Sequence, residues 1–184
     1  SREDVVTIVQ AAIHAREAGE NISLTARAAG TCMTGGPLTE SVVVAFQPHM
    51  NRLIEVGKGF AVAEPGMFYR DFEKATLQTN QILPSFPASK ELCALGGMVA
   101  NDGGGERSLA YGKTHRYVEE LECVLDDGSV ATFKELNAKE LEGKKALQTR
   151  EGEIYRAMDE LITKNADAIQ QAKPHVSKNS AGYG

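Results

Sequence analysis

Residues 96–112, GGMVANDGGGERSLAYG, hold six glycines in seventeen positions. Glycine loses more backbone freedom on folding than any other residue, so this density demands a reason. One reason is close approach of backbone amides to a ligand, because glycine tolerates positive φ and lets N–H groups line a concave anion site. The bland alternative is a flexible surface loop. Against it, Met98, Val99, Leu109 and Tyr111 interleave with the glycines, and a solvated linker lacks such residues. A second cluster, GTCMTGG at residues 30–36, stands far upstream. The two are read together as ligand-cradling loops.

Bulk properties narrow the classes. A chain of 184 residues makes one domain, or two small lobes sharing a core. It can bury about 70% of its unfolded surface without disulfide staples. Apolar residues make up 42% and charged residues 24%, as in ordinary globular proteins. A net charge of −5 with scattered Lys and Arg argues against a nucleic-acid surface. No apolar run reaches the length of a membrane span, and no signal segment opens the chain. Cys32, Cys93 and Cys123 are far apart, with no CxxC pair, so metal spacing is absent. The sparse, odd count fits a reducing cytoplasm. Cys32 sits in a glycine loop where it can react, although small apolar filler is the commoner role for all three.

In chain order, residues 1–19 read as a helix with Val5, Val9, Ala12 and Ile13 on one face. Residues 22–25 read as a short strand. Residues 41–46, SVVVAF, read as a buried strand because they are apolar without alternation. Residues 53–56 and 60–63 suggest a hairpin around Gly57 and Gly59. Residues 67–79 read as a helix, and the two prolines within residues 82–89 force an extended or turning path. A strand over 118–125 turns at Asp127-Gly128 into a return strand over 129–133. Residues 137–147 and 151–172 read as amphipathic helices, the second burying Leu161, Ile162 and Ile169. The expected organisation is α+β in two α/β lobes. The first, over residues 1–48, has a small, mainly parallel sheet. The second, over residues 49–184, has a mixed or antiparallel sheet with flanking helices. Each lobe contributes one glycine loop to a ligand held between them.

Known phosphate loops do not fit. Gly30 and Gly35 have P-loop spacing, but Gly36 and Pro37 stand where Lys and a hydroxyl are required. Gly112, Lys113 and Thr114 supply that ending, but the required first glycine is Arg107. The GxGxxG dinucleotide fingerprint is also absent.

The sequence instead resembles the FAD-binding domain of the vanillyl-alcohol oxidase/p-cresol methylhydroxylase (PCMH-type) superfamily, nearest to D-lactate dehydrogenases and the flavin subunit of glycolate oxidase. The resemblance runs in order through Glu3-Asp4-Val5-Val6, then RAAGTCMTG at 27–35 and HMNRLIEV at 49–56. It continues through AEPG at 63–66, residues 84–89, residues 95–112, LDDG at 125–128 and KNSAGY at 178–183. It implies FAD with its diphosphate along the first loop, contacted by Arg27, Ala28, Ala29, Gly30, Thr31, Cys32 and Gly35. The flavin and ribityl side would be lined by Pro87, Ser89, Gly96, Gly97, Val99, Asn101, Gly104 and Gly105, with Ser108, Tyr111 and Gly112 closing the loop. Individually, Arg27 also suits a surface ion pair, Ser89 and Ser108 suit caps, and Tyr111 suits a core position. Ala28 and Ala29 depart from the family's glycines. Covalent members carry a histidine where Thr31 stands here, which implies non-covalent FAD. His115 and Arg116 replace the family's usual arginine and acid.

The implied reaction is hydride removal from a 2-hydroxy acid to flavin, with electrons passed onward to an acceptor protein or iron–sulfur subunit. The catalytic base is expected in a substrate domain following residue 184, so His14, His49, His115 and His175 are read as structural or surface residues. Alternatives of the same fold are an electron-transfer flavin module as in molybdenum hydroxylases, a reductase such as UDP-N-acetylenolpyruvoylglucosamine reductase, and a non-catalytic domain that has lost its flavin.

Overall fold

The structure, a computed structural model, describes residues 1–177; the KNSAGY stretch lies outside the described residues. The elements in order are α1 (Arg2–Glu17), β1 (Leu24–Arg27), β2 (Val42–Ala45), β3 (Leu53–Val56), β4 (Ala61–Ala63), α2 (Tyr69–Leu77), α3 (Leu95–Ala100) and α4 (Ser108–Tyr111). A 3₁₀ turn at Thr114–Tyr117 precedes β5 (Glu120–Val124), β6 (Val130–Lys134), α5 (Ala138–Lys145), α6 (Arg150–Lys164) and α7 (Ala166–Ala172). The architecture is α+β. Among the described residues the strands form three two-stranded sheets. Packing groups them into two compact units, Gly19–Val118 and Arg2–Ala18 with Glu119–Ser177. The division expected near residue 48 puts α1 with β1 and β2, whereas here α1 belongs with β5, β6 and the later helices.

In the Gly19–Val118 unit, β1 and β2 pair in parallel, with Leu24 opposite Val42 and Arg27 opposite Ala45. A parallel pair needs a long connection, and the chain supplies it as residues 28–41, which carry the first glycine cluster. Strands β3 and β4 form the expected antiparallel hairpin. The core gathers Tyr69, Phe86, Cys93 and Met98, with Leu83 and Leu95 against it. Tyr69 is completely buried, and its hydroxyl donates to the Leu83 carbonyl at 2.7 Å, so the polar end of a core ring is satisfied. The tilted Tyr69 and Phe86 rings lie 5.3 Å apart.

Three expectations change. Strand β2 is not buried: Val42 and Val43 are exposed, because two strands alone leave a face uncovered. The helix expected over 151–172 breaks at Asn165, whose φ of −112° and ψ of 15° end α6 and begin α7. Leu161, Ile162 and Ile169 are exposed rather than buried. The face of α6 that packs carries Gly152, Tyr155, Arg156 and Asp159, spaced at helical period. A β-carbon on Gly152 would overlap the Leu147 carbonyl, Tyr155 meets Phe133 at 5.7 Å, and Asp159 pairs with Lys145 at 2.6 Å. Leu161 lies on the opposite side of the helix from Gly152, and Met158, Leu161 and Ile162 are all exposed.

In the same unit, Gly128 has φ +80° in the β5–β6 turn, as its Asp-Gly sequence requires. Asn137 caps α5 in a reciprocal box with Glu140, its side chain accepting from the Glu140 amide at 3.0 Å.

Candidate functional site

The stretch 96–112 is not one loop. Residues Leu95–Ala100 form a short helix, and Ser108–Tyr111 form another turn. The chain enters α3 through backbone pairing: Tyr69 N–H donates to the Cys93 carbonyl, Leu95 N–H to Met67 and Gly96 N–H to Pro65, at 3.0, 2.9 and 2.8 Å. A β-carbon on Gly96 would lie 2.7 Å from Pro65 Cβ, so this glycine serves that close approach. Helix α3 ends with Gly103 N–H donating to the Met98 carbonyl at 2.8 Å and Asp102 N–H to Val99 at 3.1 Å. This is a Schellman ending, in which the residue after the cap turns left-handed. Glycine usually holds that place. Here it is Asp102, with φ +43°, a conformation aspartate tolerates better than most side chains but still at a cost.

The neighbours of Asp102 hold it there. Its carboxylate is 4% exposed and receives the Lys113 ammonium on Oδ2 at 2.7 Å. The other oxygen takes the His115 backbone N–H at 3.0 Å and lies 2.9 Å from His115 Nδ1. Beside it the Gly103 carbonyl accepts from the Thr114 hydroxyl at 2.6 Å, the Thr114 amide at 3.1 Å and the Ser85 hydroxyl at 3.4 Å. These bonds fasten both ends of the 103–114 loop to one point. Burial by itself would raise the Asp102 carboxyl. The Lys113 and His115 contacts outweigh it and hold the group below the usual carboxylate range.

Facing this loop, residues 28–41 turn twice, with Gly35 N–H donating to Cys32 and Leu38 N–H to Gly35. Gly30 and Gly35 have φ of +73° and +77°. Between the two glycine segments, within the Gly19–Val118 unit, lies a cavity of about 720 Å³, the size of an organic ligand site. Buried Cys93 and Met98 connect its wall to the core. Burial pushes the Cys93 thiol up to about 11, so it is a protonated apolar wall residue at neutral pH.

The expected site residues divide. Ala28, Ala29, Gly30, Thr31 and Cys32 line the cavity from the first segment, and Pro87 and Ser89 line it from the extended stretch. Gly97, Asn101, Gly104 and Ser108 line it from the second. Arg27, Gly35, Gly96, Val99, Gly105, Tyr111 and Gly112 are not on the wall. Arg27 instead lies over Gly30, where an added β-carbon would come within 2.6 Å of its Nε. A β-carbon on Gly105 would overlap the Phe86 carbonyl, and one on Gly112 the Arg116 side chain. Tyr111 is exposed, with the Arg107 guanidinium 4.8 Å from its ring centre. The Ser108 hydroxyl accepts from the Gly105 amide at 2.8 Å, a turn-capping bond. Cys32 Sγ lies 2.9 Å from the Thr34 hydroxyl.

Sequence reasoning missed Asp102 and Lys113, which also line the cavity. The available signal was an aspartate between Asn101 and three glycines, where a helix end needs a left-handed residue. Among the described residues no group of three or more His, Cys, Asp or Glu gathers as metal ligands would, and no helix is long and apolar enough to cross a membrane.

With this geometry in hand, comparison with known proteins is decisive. The FAD binding domain family matches residues 1–134, which include every residue of the cavity wall. The chain belongs to the FAD-binding domain family. It is 30% identical over 168 residues to D-2-hydroxyglutarate dehydrogenase of Pseudomonas putida, covering 89% of this chain and 16% of that protein. It is 31% identical over 125 residues to glycolate oxidase subunit GlcD of Bacillus subtilis, covering 66% of this chain and 27% of the relative. The chain therefore spans less than a third of either relative. Among solved structures, 6-hydroxy-D-nicotine oxidase of Arthrobacter nicotinovorans superposes with a TM-score of 0.63 at 20% identity, over 77% of this chain and 30% of that one. The fold is the PCMH-type FAD-binding fold expected from the sequence.

The wall fits the family's cofactor. Ala28 and Ala29, which replace glycines common in the family, both line the cavity, and it keeps its volume with their methyls in place. Thr31, Thr34, Ser89 and Asn101 add neutral hydrogen-bonding groups around it.

Two outcomes are expected. Gly97→Ala places a β-carbon only 3.6 Å from Ala28 Cβ, an ordinary contact. It should leave the melting temperature of the ligand-free FAD-binding domain unchanged or raised while weakening FAD binding. Gly105→Ala should destabilise the domain itself by about 1–3 kcal/mol, because backbone cannot yield easily. Calorimetric melting and FAD titration of both variants check this. Second, a carboxyl held below its unfolded value stabilises the fold above about pH 4, and that stability is lost as pH falls through the folded pKa. Melting temperature should therefore fall more steeply on acidification in the natural domain than in Asp102→Asn; parallel profiles would contradict the role given to Asp102.

Proposed function

We propose that the cavity between residues 28–37 and 87–113 holds FAD non-covalently, and that this domain serves an oxidoreductase acting on a 2-hydroxy acid. The observation that carries the reading is the convergence of both glycine segments on one cavity, wholly inside the region that the FAD-binding family matches. The substrate class follows the names of the relatives, a D-2-hydroxyglutarate dehydrogenase and a glycolate oxidase subunit. D-Lactate belongs to the same chemical class.

In such an enzyme bound FAD supplies a hydride acceptor, so that the hydroxyl-bearing carbon loses hydride and the hydroxyl proton passes to a base, leaving a 2-oxo acid. The residues of this chain bind and orient. Backbone amides of the first segment, redirected by the positive φ at Gly30, suit a diphosphate. Thr31 and Thr34 add hydroxyl donors. Gly97 leaves room for a planar group to approach the backbone of α3, while Met98 and Cys93 offer an apolar wall. His14, His49, His115 and His175 are absent from the wall, which is consistent with an acid–base residue outside this domain. The electron acceptor is a partner protein or an iron–sulfur subunit.

The non-covalent reading rests on Thr31, which stands where covalent members of the family carry a histidine. The protein should bind FAD saturably, and acid precipitation of the yellow complex should leave all colour in the supernatant. Colour retained on the polypeptide would overturn non-covalent attachment, and no spectral change at high micromolar FAD would overturn the FAD reading itself.

A further inference from the structure

Among the described residues that line the cavity, Lys113 is the only cation and Asp102 the only acid. FAD carries a diphosphate, and its ring gains negative character on reduction. Moving such charge from water into a protein cavity is costly unless charged or strong hydrogen-bond donors meet it. Two nearby guanidinium groups are not among the wall residues: Arg27 lies over Gly30, and Arg107 stands 5.7 Å from the Phe86 ring centre and 4.8 Å from that of Tyr111. Lys113 is itself only 16% exposed and is pinned by the buried carboxylate of Asp102 at 2.7 Å. That carboxylate sits on a left-handed residue, a costly conformation that persists where surroundings over-determine it and that concentrates at ligand clamps. The His115 N–H fixes the second carboxylate oxygen at 3.0 Å, so the lysine has a rigid anchor.

We propose that Lys113 is a binding residue of this cavity, donating to an anionic group of the bound dinucleotide, and that Asp102 is the positioning residue that holds the ammonium on the wall. The inference rests on the FAD reading above. The shared chemistry is an oxyanion, supplied either by the diphosphate or by the carbonyl edge of the reduced ring.

The test must not strand a buried charge, because removing one member of a buried pair is itself destabilising. The comparison is therefore between the natural protein and the double variant Asp102→Asn/Lys113→Met, which removes both charges together, with melting temperature as the control for folding. FAD should bind the double variant at least tenfold more weakly than the natural protein. Equal affinities would overturn the proposal. Lysine acetylation of the unmodified protein, mapped by mass spectrometry, gives a second readout that needs no variant. Saturating FAD should slow labelling of Lys113 at least fivefold, and labelling unaffected by FAD would overturn the proposal as well. Titrations with ADP and with riboflavin locate the contact. A loss shared by ADP assigns it to the diphosphate, and a loss shared by riboflavin assigns it to the ring. A natural protein that binds no FAD at all removes the FAD reading and this inference together, whereas a natural protein that binds FAD beside an unaffected double variant removes this inference alone.

Discussion

The left-handed turn at Asp102 is the constraint on which the site depends. Helix α3 must stop there for the three glycines at 103–105 to turn along the cavity, and a non-glycine residue at that place needs compensation. The ion pair with Lys113, the His115 amide and the cluster of donors on the Gly103 carbonyl provide it. One buried carboxylate thus sets a helix end, the base of a loop and the position of the cavity's cation. The arrangement also couples the site to the core, since Met98 lies one turn before Asp102 and packs with Tyr69 and Phe86.

The glycines divide by purpose. Gly96 and Gly105 let backbone segments of the same domain pass closely, and Gly112 lies against Arg116. Gly97, Gly103 and Gly104 are on the cavity wall. Of these, Gly97 meets only the Ala28 methyl, whereas Gly104 is also crowded by Ser108. The glycine excess that marks the sequence therefore reflects tight internal packing as much as ligand approach. Both demands arise because two segments far apart in sequence must converge beside one small core.

Much of this was legible beforehand. Local patterns located all six strands of the described residues within a few positions, because short apolar runs, glycine turns and Asp-Gly act over short range. The order of motifs located the family. What was hidden depends on contacts that local patterns do not encode. The Asp102–Lys113 pair spans a loop whose closure no periodicity signals. The packing face of α6 is set by Gly152 under Leu147 and by the Asp159–Lys145 pair, so apolar Leu161, on the opposite side, points outward against its hydropathy. Asn165 is a weak helix breaker by composition, and only its conformation shows that α6 ends there. Arg27 illustrates the same limit. Its type suits a diphosphate, yet its guanidinium lies over Gly30.

Hydrogen exchange measured by mass spectrometry, with and without FAD, tests the central claim most directly. Binding in the cavity should slow exchange in peptides covering residues 28–37 and 97–113 and leave those covering 138–172 unchanged. Protection confined to the later helices, or FAD binding that leaves both glycine segments unprotected, would contradict the assignment of this cavity as the cofactor site.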